Sequence, residues 1–160
     1  MRLLNFAAAM GAVASLTGDV ALAQPTKPRP QTCSTSCPTS PWTQQKIFED
    51  FTHKFYIEKD PKNAIQQTMA EDYIQHNPYA LSGRQNSIDY VGPIFEVANF
   101  TILRRSFSNG TGWVHTKMEI PGQPPAAVVD IFRLQGSCIV EHWDVLTAMP
   151  ENATNPLALF

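Results

Sequence analysis

A lone carboxylate, Asp130, interrupts an otherwise apolar run, Ala126-Ala127-Val128-Val129-Asp130-Ile131-Phe132. An acid in such a run must be paired, hydrogen-bonded or turned towards a cavity. In a dry cavity a carboxylate is suited to take a proton from a weak carbon acid. In a paired role its partner would be Arg104, Arg105 or Arg133. His115, in Trp113-Val114-His115-Thr116-Lys117, is a candidate proton carrier. Strand alternation groups it with Trp113 and Lys117, and Lys117 draws that face to water. A bulge or an open strand end would turn it inwards. His76, just before Asn77-Pro78, fits either a pocket mouth or a chain cap. In His142-Trp143-Asp144 the outer two residues share one strand face and Trp143 takes the other with Glu141, so only one set lines an interior. His142 with Asp144 would be an acid–base couple, and Trp143 a wall. Tyr73 and Tyr90 can donate to a carbonyl oxygen. The spacings of His53, His76, His115 and His142 match no standard metal motif, so no metal is expected.

The elements that must hold these residues are helices first, then strands. Apolar spacing of three and four at Trp42, Ile47, Phe48, Phe51, Phe55 and Tyr56 predicts a helix over 41–59, capped by Ser40 with Pro41 at its first position. Asp60-Pro61 opens a second, shorter helix. The run 71–78 reads as a short strand or bend that Pro78 ends. A third helix runs from Ser82 or Gly83 to about Ala98, with Pro93 as a potential kink. Strands follow over 100–107, 111–120, 126–134 and 138–146, the first two joined by the hairpin signal Asn109-Gly110. Helices followed by an antiparallel run give the α+β class.

Two motifs carry a family resemblance. Tyr73-Ile74-Gln75-His76-Asn77-Pro78 with Gly83 is the first. The second is Val129-Asp130-Ile131-Phe132-Arg133, Gly136 and Ile139-Val140-Glu141-His142-Trp143-Asp144-Val145. Together they resemble the SnoaL-like polyketide cyclase group of the nuclear transport factor 2-like superfamily, over residues 42–148. The resemblance implies a conical barrel in which a curved sheet wraps the helices around an internal pocket. It also implies cofactor-free chemistry: an Asp abstracts a proton alpha to a carbonyl, a His supports it, and an aldol closure follows. Asp130 matches that aspartate and His115 that histidine. Tyr73, His76, His142, Trp143 and Asp144 are then the candidate substrate contacts. The superfamily also contains pure binding proteins.

The chain ends bear on where this happens. Arg2, an apolar stretch over 3–16 and Ala21-Leu22-Ala23 form a signal peptide, 1–23, cleaved before Gln24. Residues 24–41, with Pro25, Pro28, Pro30, Pro38 and Pro41 among Ser and Thr, read as a disordered tether. Residues 42–150 form the domain and 151–160 a tail. Export agrees with three glycosylation sequons, at Asn99, Asn109 and Asn152. It agrees as well with an odd cysteine set, Cys33, Cys37 and Cys138, which permits one disulfide and one free thiol. Pairing of Cys33 or Cys37 with Cys138 is expected, against a local Cys33–Cys37 bridge. A net charge of −2 with dispersed Lys and Arg excludes nucleic acid as a partner, and nothing after the signal is long and apolar enough to span a membrane. The expectation is a secreted protein that holds a small apolar carbonyl compound. It would catalyse aldol cyclisation, isomerisation or dehydration without a cofactor, and it could pair as a homodimer. The alternative is a secreted, non-enzymatic ligand-binding or protein-interaction module.

Overall fold

The computed structural model describes residues 33–155 and 157–160. The signal peptide and the first half of the expected tether, 24–32, lie outside them. The first helix, α1 (Pro41–Thr52), begins where the Ser40 hydroxyl accepts the Thr43 amide at 3.1 Å. It buries Phe48, Phe51 and Thr52 and runs on into a π-helical turn, His53–Ile57. Both consecutive aromatics of that wider turn, Phe55 and Tyr56, are buried. Asp60 caps α2 (Pro61–Thr68) by accepting the Asn63 amide. The segment between the helices that the sequence left as strand or bend is a strand, β1 (Met69–Gln75). Helix α3 (Arg84–Val97) passes through Pro93 without ending there.

The remaining strands are β2 (Asn99–Ser108), β3 (Thr111–Glu119), β4 (Ala126–Gln135) and β5 (Cys138–Ala148). Asn109 and Gly110 both take positive φ, at 50° and 75°, as the two-residue hairpin between β2 and β3 requires. The sheet order is β1-β5-β4-β3-β2, with β1 parallel to β5 and every other pair antiparallel. The class is α+β, as expected, but the sheet does not close: β1 and β2 are its two edges. Barrel width grows with strand number, and eight strands only just leave room for side chains. A closed ring of five would have no space for the helices that this sheet packs against.

Those helices cover one sheet face. Phe48, Phe51 and Phe55 meet Phe132 of β4 and Phe95 of α3, with edge-on contacts at 5.1 Å (Phe51–Phe132) and 4.6 Å (Phe55–Phe95). One polar group is out of place in the interior. Thr116 of β3 is fully buried, and its hydroxyl has no hydrogen-bond partner. Thr116→Val keeps the shape and removes that hydroxyl, so it is expected to raise stability by about 1 kcal/mol in urea unfolding. A lower stability would mean that a bound water satisfies the hydroxyl.

At the sheet end between β4 and β5, Cys33 is bonded to Cys138 across 105 residues of sequence. Ser34 and Ser137 exchange backbone and side-chain hydrogen bonds beside it, and Gln44 of α1 donates to the Gly136 carbonyl. The last residues of the Pro-rich stretch are therefore tied to the domain by covalent and polar links rather than by apolar burial. Cys37 is a free, exposed thiol.

Candidate active site

Between α3, the π-turn and the inner face of the sheet lies a cavity of about 100 Å³. Its walls are mostly aromatic and aliphatic, with Tyr56, Phe95, Phe100 and Phe132 among them, and hydrogen bonds link its polar residues Gln75, Asn77, Asp130, His142 and Asp144. Asp130, only 8% exposed, stands there on β4. Tyr56 donates its hydroxyl to Asp130 Oδ2 at 2.7 Å, and His142 Nε2 lies 2.9 Å from Asp130 Oδ1. Among the described residues no arginine bonds this acid. Arg133 pairs with Glu141 on the outer face, and Arg105 donates to Thr52. Burial and then the Asp130 charge push the Tyr56 phenol far above its ordinary value, so it stays protonated and donates to Asp130. Burial raises Tyr73 likewise.

The proton count at the Asp130–His142 pair follows from a third residue. The Gln75 amide oxygen accepts the Asn77 backbone amide at 3.1 Å, which fixes which way that side chain points. The same oxygen lies 2.9 Å from His142 Nδ1, so Nδ1 carries a hydrogen and donates it. The short Nε2–Oδ1 contact must then hold one proton, shared between an imidazole and a carboxyl group. A histidine–carboxyl pair with a fixed tautomer is an arrangement that can carry general acid–base chemistry.

Asp144, two residues beyond His142 on the same strand face, also lines the cavity, and Asn77 Nδ2 donates to its Oδ2 at 2.6 Å. The sequence left the face of β5 open between His142 with Asp144 and Trp143. The structure turns His142 and Asp144 inwards. Trp143 lies on the outer face, stacked flat against His76 at 4.8 Å. His76 bonds Glu141 there, so neither His76 nor Trp143 touches the cavity. His115 is also outside: its partner across β4 is Val129, while its neighbour Val114 is fully buried opposite Asp130. No bulge between β3 and β4 reverses the alternation, so Lys117 keeps that face towards solvent. The histidine that bonds Asp130 is His142 and not His115.

Tyr73 lines the cavity as expected, whereas Tyr56, Gln75 and Asn77 were not singled out in the sequence. Gln75 and Asn77 could have been found by alternation, because they share the parity of Tyr73 while His76 does not. Tyr56 left a weaker signal, an aromatic with a polar tip directly after another aromatic. Asp130, His142 and Asp144 also bring one ligating atom each within 4.8 Å of one another. Both ring nitrogens of His142 are already engaged, so a metal there would have to break its bond to either Gln75 or Asp130.

No family model and no curated protein matches the sequence. Solved structures do resemble it. An NTF2-like protein of unknown function from Mesorhizobium loti superposes with a TM-score of 0.59 at 16% identity, over 69% of this chain and 97% of that one. One from Burkholderia xenovorans gives 0.59 at 14%, over 71% and 89%. The chain has the nuclear transport factor 2-like fold. A putative polyketide cyclase from Acidithiobacillus ferrooxidans shares it, with a TM-score of 0.51 at 13% identity, over 65% of this chain and 87% of that one. In this fold the hydrogen-bonded polar group of Asp130, His142, Gln75, Asn77 and Asp144 lines the cavity between helices and sheet.

Proposed function

We propose that this chain is a SnoaL-like acid–base catalyst acting on a small, largely apolar carbonyl compound. The observation that carries the reading is the Asp130–His142 pair, set in an apolar cavity with its tautomer fixed by Gln75. With the shared proton on His142, Asp130 is free to take a proton from the carbon alpha to the carbonyl. The Tyr56 hydroxyl holds the carboxylate in place through Oδ2. The relay then returns a proton to oxygen or carbon, which completes an isomerisation, a dehydration or an aldol closure with no cofactor in the step. The polyketide cyclase among the similar folds favours that class of chemistry. The matching test needs no known substrate: incubate the protein with small ketones in D₂O and follow loss of the alpha-proton signals. Wild type should exchange them faster than buffer. Equal rates for wild type and Asp130→Asn would overturn the assignment, and a non-enzymatic binding protein would then be the better reading.

The reading places the protein outside the cell, with the signal peptide of residues 1–23 removed. Among the described residues no helix is long and apolar enough to cross a membrane. Asn99, Asn109 and Asn152 are all exposed, so each can accept a glycan. Mass spectrometry of material secreted by a eukaryotic host should show a chain starting at Gln24 with N-linked sugar on at least one of them. An intact N-terminus without glycan would refute both parts. The outer sheet face, with Trp113 38% and Val145 66% exposed, is where a homodimer would pack.

A further inference from the structure

The cavity has a sign. Its described lining residues include two carboxylates, Asp130 and Asp144, and neither a lysine nor an arginine. Asp130 is matched by the proton it shares with His142. Asp144 is not matched. Its one hydrogen-bond partner is the neutral Asn77 amide, and no cation among the described residues lies within ion-pair distance of it. The pocket thus carries one carboxylate more than its own protons and cations balance.

We infer that the ligand bears a positive charge, as a primary or secondary ammonium or an iminium on an apolar body, with Asp144 as its counter-ion. This rests on the reading of the cavity as the substrate site and narrows its substrate to amine-bearing carbonyl compounds. Three features converge on it. Coulomb attraction to Asp144 is strengthened where apolar walls exclude water. Aromatic rings line those walls, Phe95, Phe100 and Tyr90 among them, and a ring face attracts cations through its negative quadrupole. An organic cation leaves both nitrogens of His142 in their hydrogen bonds, which a metal ion bound at this cluster would not. The same carboxylate rejects carboxylates and phosphates, since an anion would meet a like charge with no basic residue to offset it.

Chemical-shift titration at pH 7 with three probes of similar shape tests this: benzylamine, benzyl alcohol and benzoate. Benzylamine should bind about tenfold more tightly than benzyl alcohol, and benzoate should give no saturable shift. In Asp144→Asn the benzylamine affinity should fall to that of the alcohol, while the alcohol itself changes by less than about twofold. Equal binding of amine and alcohol by the wild-type protein would overturn the charge selection and leave the pocket reading intact. So would a preference that survives in Asp144→Asn. If none of the three probes shifts the cavity resonances, both the pocket reading and the charge selection fall.

Discussion

Asp130→Asn is expected to reduce turnover, or alpha-proton exchange, by about 10²-fold or more while leaving the fold unchanged. The expectation follows from how an amide fits the same hydrogen bonds. Tyr56 can still donate its hydroxyl to the Asn oxygen. The Asn amine can donate to His142 Nε2, which is a lone-pair acceptor once Nδ1 carries the hydrogen given to Gln75. Both contacts survive, so stability should change by less than about 1 kcal/mol. What is lost is the one group able to accept a substrate proton. Asp130→Ala separates shape from chemistry further, because it strips the buried Tyr56 hydroxyl of its acceptor, at a cost of about 1–3 kcal/mol. Thermal unfolding of the two variants beside the exchange rates resolves the matter. A large fall in melting temperature for Asn would make Asp130 structural. Retained exchange in a well-folded Asn variant would place the base elsewhere.

Removal of the Cys33–Cys138 bond should be the most destabilising change outside the cavity. The bond closes nearly the whole domain, since its cysteines are 105 residues apart. The chain-entropy description credits a loop of that length with about 4–5 kcal/mol, which is a large part of the roughly 5–15 kcal/mol that holds a domain folded. Cys33→Ala, or reduction of the wild type, should therefore lower the urea midpoint sharply. Cys37→Ser should move it by no more than about 0.5 kcal/mol, because that thiol is exposed and bonded to nothing. Non-reducing peptide mapping gives the independent check, with Cys37 alone alkylated in the native protein. Recovery of a Cys33–Cys37 peptide would refute the pairing.

Local chemistry made much of the frame legible. Ser40-Pro41 and Asp60-Pro61 mark helix starts because their side chains satisfy amides that no helical carbonyl can reach. Asn109-Gly110 marks the hairpin because both residues tolerate positive φ. Asp130 stood out because a carboxylate in an apolar strand demands a partner, whatever lies around it. The π-turn that brings Tyr56 to Asp130 had no such mark: Phe55 there packs on Phe95, which stacks on Phe100, contacts between residues distant in sequence that local propensity does not encode.

The partner of Asp130 was decided by tertiary structure. Both faces of β4 are apolar, with Val128 and Phe132 on one and Val129 and Ile131 on the other, so the sequence pattern carries no preference for which side turns in. In β5 the local preference even points the wrong way, since Trp143 is more apolar than His142 and Asp144. The helices settle it by covering the face that carries Phe132, and the register that pairs Phe132 with His142 and Asp130 with Asp144 then carries both polar residues inside. Alternation along a strand is a property of the chain. Which alternate set meets the core depends on what packs against the sheet.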